Sequence, residues 1–525
     1  MKRRHFLRTS IPAATILPAV LNGYSVKAFN SSSPMLQALM STTTATDNVL
    51  VLVQLNGGND GLNMVIPVEF YSNYYNARPN IAIPENKVLS LAGTAKTGLH
   101  PSMTGLQRLY NDGKAAIIQA VGYPAPNFSH FRATDIWMSA SDSSDVVTSG
   151  WAGRYLGVEY SNFPNGYPNA AMPDPLAIQI GSVTSLTLQG PSVSMGMSIT
   201  DPNNFYNLLS GTQDPVPDTP WGKELTYLRM VSQQTQQYSI VIKDAASKVP
   251  QQAVYPSQNS LADQLKIVAR LIKGGLKTRI YMVSIGGFDT HSTQVNTTDV
   301  TTGVHATLMQ RVSDAITAFV DDLKFLGIED RVLGLTFSEF GRRIKSNASI
   351  GTDHGAAAPM IVFGKKVKPG LTGNNPTIPS NVTVNDNIPY QYDFRSVYAS
   401  VLKQWFCVND TDLQTIMLKN FQEIAVCANT ACSTGTPATA GDQLIVNSPN
   451  PFNSRTVITF TTNGGHTLVQ VIDTLGRVIK NLTDREYTPG TYNIIFETEW
   501  LPAGVYYARL QNGSIQQVRS MLKVR

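Results

Sequence analysis

The chain has 525 residues, of which 42% are hydrophobic and 15% charged, enough apolar material for a large buried core and for more than one domain. The formal net charge of +5 comes from Lys2, Arg3, Arg4, Arg8 and Lys27, in a segment without Asp or Glu, so the rest is near neutral and offers nucleic acid no basic stripe. Three cysteines, none in a CxxC pair, argue against a thiolate zinc site.

The first 28 residues read as a targeting segment. "KRRHFLRTS" resembles the twin-arginine export signal, "IPAATILPAVL" supplies a short apolar stretch, and "VKA" offers cleavage after Ala28. The resemblance implies export of a folded protein to the periplasm. No later stretch reaches the roughly 18 apolar residues of a membrane span, so no transmembrane helix is expected.

Residues 29–428 alternate β-rich apolar runs with helix-period segments. "NVLVLVQL", "AAIIQAVG", "RIYMVSIGG", "RVLGLTFSEF" and "PMIVFG" read as strands. "SMTGLQRLYNDG", "SLADQLKIVARLIKGG" and "ATLMQRVSDAITAFVDDLKFLG" read as helices. This alternation predicts an α/β fold with a central, mostly parallel sheet flanked by helices. Residues 141–220, rich in Ser, Pro, Gly and Asn, read as a loop-rich insertion at the sheet edge. Residues 429–443 are a polar linker.

Over 444–525 the apolar period becomes two, which predicts a small all-β sandwich. "NSPNPFNSRTVITF", "VIDTLGRVI" and "LPAGVYYARL" resemble the type A C-terminal sorting domain of type IX secretion in Bacteroidetes-like bacteria. The resemblance implies the type IX secretion machinery as partner, with the protein secreted or attached at the cell surface. Cys407, Cys427 and Cys432 permit one disulfide, with Cys427–Cys432 the nearest pair in sequence and the connectivity open.

"VLVLVQLNGGNDGLN" stops a charge-free run at Gly57-Gly58 and then places Asp60. In an open α/β sheet the ligand crevice lies beyond the carboxyl ends of the strands. An Asx-turn aspartate has the same signature, but the pattern recurs. "IYMVSIGGFDTH" brings Asp289 and His291 after a second strand, and "GTDHG" brings Asp353 and His354 before a third. The chain has only seven histidines. Mixed Asp/His ligation suits a divalent ion such as Zn, Ca, Mg or Mn.

These segments, with "LHPSMTGLQRLYNDGKAAIIQAVGYPAPNFSHFRATDIW" and "TFSEFGRRI", resemble the domain of unknown function 1501 family. That family is similar in turn to the alkaline phosphatase and sulfatase superfamily. The resemblance implies a metal-dependent hydrolase of phosphate or sulfate esters, acting on a small-molecule or glycan anionic ester. Ser129, ahead of a helical stretch, is the candidate nucleophile and equally a candidate N-cap. His130, Arg132 and Arg342 are candidate anion clamps; Arg342 and Arg343 are equally placed to bridge to Glu339. The only histidine after His354 is His466, in the sorting segment, so one metal on Asp60, Asp353 and His354 is expected rather than two. His100 and His305 are spare candidates. The alternative is a catalytically silent binding or structural protein at the cell surface on the same scaffold.

Overall fold

A computed structural model describes residues 19–21, 24–26, 47–160, 163–202, 235–428, 432 and, with short breaks, 445–524. The predicted export signal and linker lie outside the described residues, apart from a short antiparallel pairing of Ala19–Leu21 with Tyr24–Val26 and from Cys432. Contacts divide the chain into one unit, Thr46–Cys432, and another combining Met1–Ala45 with Ser433–Arg525.

The first unit is built on a nine-stranded sheet. Its strands are β1 (Val49–Leu55), β2 (Ala115–Gly122), β3 (Ala177–Ile180), β4 (Gly196–Ile199), β5 (Ile280–Ile285) and β6 (Val332–Phe337). A hairpin of β7 (Gly341–Ser346) and β8 (Thr352–Gly355) stands off the sheet; β9 (Ala358–Phe363), β10 (Gly370–Thr372) and β11 (Tyr392–Asp393) complete it. The order is β10-β2-β9-β6-β1-β5-β3-β4, with β11 also on β2. β1 is parallel to both β5 and β6; β9 alone runs against its neighbours. The sheet is therefore mostly parallel, with β1 at its centre.

Every residue of β1 is buried because the sheet is covered on both faces. Val49, Val51, Val53 and Leu55 face the helices α1 (Thr104–Asn111), α4 (Ser260–Lys273) and α5 (Val304–Phe325). Leu50 and Leu52 face α2 (His130–Ser139), α3 (Trp151–Glu159) and α6 (Phe394–Phe406), whose Trp137, Trp151 and Trp405 pack there. Burying one such large apolar side chain is worth roughly 1.5–3 kcal/mol, which is why this run tolerates no charge.

Of the stretch 141–220, residues 203–220 lie outside the described residues, and the described part is more regular than its composition suggests. α3, β3 and β4 lie in it, and the two strands extend the sheet at its edge. Four-residue strands such as "AIQI" are too short to show a period. The disulfide joins Cys407 to Cys432, while Cys427 is free and buried. Sequence proximity misleads here because chain folding, not spacing, brings 407 and 432 together. Burial pushes the Cys427 thiol up to about 12.

The described C-terminal residues form two antiparallel sheets. Ile445–Ser448, Arg455–Thr462 and Gly490–Glu497 make one; Gly465–Ile472, Val478–Tyr487, Gly504–Asn512 and Ile515–Lys523 make the other. Ile458, Phe460 and Phe496 of the first sheet share a core with Val469, Val471, Ala508, Leu510 and Met521 of the second. No helix among the described residues is long and apolar enough to cross a membrane.

Candidate functional site

The site forms where β1, β5 and β6 end. Gly57 and Gly58 adopt φ of +123° and +77°, and a Cβ on them would lie 2.4 Å from the Asp289 nitrogen and 2.2 Å from the Phe340 ring. Only glycine lets the loop after β5 and the turn after β6 close on the end of β1. The β5 loop then delivers Asp289 and His291, and the β7–β8 pairing sets Arg342 opposite His354. On the far side the chain leaves β2 and enters α2 with Ser129 as N-cap and His130 as the first helical residue.

His130, Asp289 and His354 gather ligand atoms within 4.8 Å of one another. The His130 Nε2 lies 3.6 Å from Asp289 Oδ2, and the His354 Nε2 lies 3.4 Å from Asp289 Oδ1. His291 joins them, its Nε2 being 2.8 Å from the His354 Nε2 and 3.2 Å from Asp289 Oδ1. The three outer nitrogens all meet acceptors: His130 Nδ1 meets Glu339 Oε1 at 2.9 Å, His354 Nδ1 the Phe128 carbonyl at 2.7 Å, and His291 Nδ1 Asp353 Oδ1 at 3.3 Å. A carbonyl or carboxylate oxygen can only accept, so each Nδ1 is the donor and each Nε2 turns inward. Asp353 therefore touches the back of His291 instead of pointing to the shared centre.

Asp60 follows the end of β1, but it is 1% exposed and outside this group. Arg78 Nη1 bonds its two oxygens at 2.9 and 2.8 Å, and Gln294 Nε2 donates to Oδ2 at 2.7 Å. Arg78 goes on to the Ile344 and Arg343 carbonyls, so Asp60 works as the counter-charge of a buried brace on the β7 strand. Arg342 is also buried; it donates to the carbonyls of Gly57, Gly58, Phe288 and Thr352 and to Asp289 Oδ1. It holds Asp289 in place and has no face left for substrate. Arg132 is turned to the carbonyls of Asp142, Ser143 and Asp145. Arg343 packs 5.1 Å over the Phe128 ring and donates to the Asn385 carbonyl; its bridge to Glu339 is not formed. Ser129 is exposed and its hydroxyl makes no cap hydrogen bond. It sits between two points of contact with the cluster, the Phe128 carbonyl and His130. His100 and His305 pack edge to face, 6.0 Å apart, in the interior.

Local charge sets the protonation. Burial pushes Asp289 upward, but the hydrogen bond and charge of Arg342, helped by His291 and His354, more than offset it and hold the carboxyl below its usual range. Asp353 is held low chiefly by the hydrogen bond from Asn347. His354 is depressed mainly by burial.

Glu339, Arg78 and Gln294 were not singled out as site-forming from sequence. Glu339 carried a signal, because "TFSEF" puts an acid past the end of a parallel strand just as "QLNGGND" does. Nothing local distinguishes Arg78 or Gln294, since their partners are distant in the chain.

The structure thus presents a partly exposed His/Asp cluster at the carboxyl ends of a mostly parallel sheet, on an α/β scaffold followed by an all-β segment. The chain belongs to the family described as protein of unknown function (DUF1501), whose family model matches residues 47–406. The secretion system C-terminal sorting domain matches residues 448–524, which ties the chain to the type IX secretion machinery and supports secretion or a cell-surface location. No curated protein matches the chain. Solved structures with likeness to it include the PsFucS1 sulfatase from Pseudoalteromonas sp., 11% identical over 88% of this chain and 86% of that one, TM-score 0.31. An alkaline phosphatase superfamily protein from Vibrio parahaemolyticus is 10% identical over 92% of this chain and 84% of that one, TM-score 0.32. A putative sulfatase from Bacteroides thetaiotaomicron is 8% identical over 90% and 85%, TM-score 0.29.

Proposed function

We propose that this protein is an exported, metal-dependent hydrolase of phosphate or sulfate esters, with Ser129 as nucleophile. The observation that carries the reading is the convergence of three histidine Nε2 atoms on Asp289. The His354 and His291 Nε2 atoms are 2.8 Å apart and lie 3.4 and 3.2 Å from Asp289 Oδ1, while the outer nitrogen of each ring meets its own acceptor. A cation would satisfy all of these inward-facing atoms at once. His130, Asp289, His291 and His354 would hold it, and this nitrogen-rich set suits Zn or another borderline divalent ion better than the all-oxygen preference of Ca or Mg. When bound, such an ion supplies Lewis-acid polarisation of the ester oxygens and lowers the cost of an alkoxide.

The chain's own residues would do the rest. Ser129 presents a free hydroxyl at the start of α2, where unpaired backbone N–H groups favour an anionic phosphoryl or sulfuryl group. Arg342 fixes Asp289, and Glu339 and the Phe128 carbonyl fix the two histidine rings. Export through the twin-arginine route, followed by type IX secretion, is part of the same proposal.

One observation favours the second reading, a catalytically silent surface protein: both arginines expected as anion clamps are engaged in holding the fold. The test is metal analysis of the purified protein with turnover of aryl phosphates and aryl sulfates, for wild type and Ser129→Ala. The hydrolase reading expects bound metal in both and turnover only in wild type. Bound metal with no turnover on any ester selects the silent protein, and absence of metal overturns the site.

A further inference from the structure

We infer that Glu339 is a positioning residue that locks the His130 ring with Nε2 facing Asp289 and His354. The inference rests on the metal reading of the same site and names what makes one of its ligands ready. Glu339 is 1% exposed. Its Oε1 accepts from the Gly57 N–H and from His130 Nδ1, both at 2.9 Å, and the Ser338 hydroxyl oxygen lies 3.3 Å from Oε2. Among the described residues its only ion-pair partner is His130. A buried carboxylate with no Lys or Arg is expensive, and here its strongest side-chain contact is the ring it orients.

The carboxylate is itself pinned by the Gly57 backbone N–H on the β1 loop, whereas the single Ser338 hydroxyl proton goes to the Leu55 carbonyl at 2.7 Å. It therefore presents a fixed acceptor, and His130 has to answer with Nδ1–H. That leaves the lone pair on Nε2, the atom directed at Asp289. The Phe340 ring, 4.9 Å from His130 and 4.4 Å from His354, limits both rings from the side. The counterpart carboxylate on His291, Asp353, is half exposed, so of the two carboxylate-anchored rings His130 is held more firmly. A carboxylate behind a ligating histidine fixes its tautomer and raises its basicity, and losing one typically costs 10–100-fold in metal affinity.

The test uses the full chain and Glu339→Gln. The first readout needs no metal and no substrate: long-range 1H–15N spectra of the metal-free protein report the His130 tautomer, assigned by difference with His130→Gln. Wild type is expected as the Nδ1–H tautomer and Glu339→Gln as a mixture or the Nε2–H form. The second readout is Zn2+ affinity by competition titration, expected to fall about 10–100-fold in Glu339→Gln. Ser338→Ala, which removes a hydroxyl bonded to the Leu55 carbonyl, should lower stability while leaving the tautomer alone. Wild-type His130 found as Nε2–H overturns the inference even if Glu339→Gln fails to fold, and so does an unchanged tautomer with unchanged affinity. A wild type that binds no Zn2+ but shows the tautomer switch removes the metal reading and leaves the positioning role standing.

Discussion

Asp60→Ala should unfold the β1–β7 brace without touching the candidate metal centre. Removing the carboxylate leaves the Arg78 guanidinium buried, with a side-chain exposure of 0%, and strips its Nη1 of two acceptors. Breaking one partner out of a buried pair costs about 3–5 kcal/mol, because the remaining charge is neither solvated nor compensated. In a unit this large each kcal/mol moves Tm by only about 1–2 °C, so a fall of roughly 3–10 °C is expected. The assay is urea unfolding of wild type and variant, each with Zn2+ and with chelator. The loss should be the same in both buffers, and Arg78→Met combined with Asp60→Leu should recover much of it, since an apolar pair pays no desolvation cost. The pH dependence has a definite sign. Burial raises the Asp60 carboxyl, but the charge of Arg78, that of His305 once it is protonated in acid, and the hydrogen bonds from Arg78 and Gln294 outweigh it, so the folded value is depressed. Its contribution is then complete above the unfolded value of about 3.9 and is lost as pH falls through the folded value. Wild type and Asp60→Ala should begin to converge in stability only in acid below about pH 4. A cost under about 1 kcal/mol, or one that disappears with chelator, would refute the brace and return Asp60 to the metal.

Burial lowers His100 to about 3 and His305 to about 4. Both stay neutral in the fold while the unfolded chain takes up protons below about 6.5, so stability should drop as pH falls from 6.5 toward 4, by on the order of 2 kcal/mol per histidine at pH 5. His305→Gln should flatten that slope in urea titrations run from pH 7 to 5, and an unchanged slope would count against it. Cys407→Ser opens a cross-link spanning 25 residues and should cost about 3 kcal/mol, matched by reductant on wild type. Cys427 in the native protein should resist iodoacetamide, and fast labelling would contradict its burial. Gly57→Ala meets both a positive φ and the Asp289 nitrogen, so it should lose at least about 1–3 kcal/mol and weaken Zn2+ binding; an unaffected variant would mean the loop is freer than described.

The fold was legible because its main signals are local. "VLVLVQL" carries no charge and a single polar residue, Gln54, as suits a strand covered on both faces, and β1 is that strand. The period-two tail likewise announces a two-sided β unit, and Arg455–Thr462 alternates buried positions with half-buried or exposed ones. What escaped was what depends on distance along the chain. β3 and β4 are four residues each, too short to carry a period. Cys407 meets Cys432 because α6 and the segment after it fold back, which no spacing rule encodes.

For the site, the glycine-then-acid signature located the crevice and left the roles undecided. Asp60 and Asp289 follow strands β1 and β5 with the same grammar, and each ends beside a buried arginine. The difference lies in what remains after the arginine is satisfied. Arg78 and Gln294 together take both oxygens of Asp60, whereas Arg342 takes only Oδ1 of Asp289 and leaves Oδ2 directed at His130. Asp60 is also sealed from solvent, while the Asp289 side chain is 48% exposed. An incoming cation therefore finds a finished ion pair at one strand end and, at the neighbouring end, a half-open carboxylate ringed by inward-facing imidazoles. The arginine partner of each aspartate, 18 residues away for one and 53 for the other, decides which carboxylate is sealed into the fold and which is left half open beside the histidines.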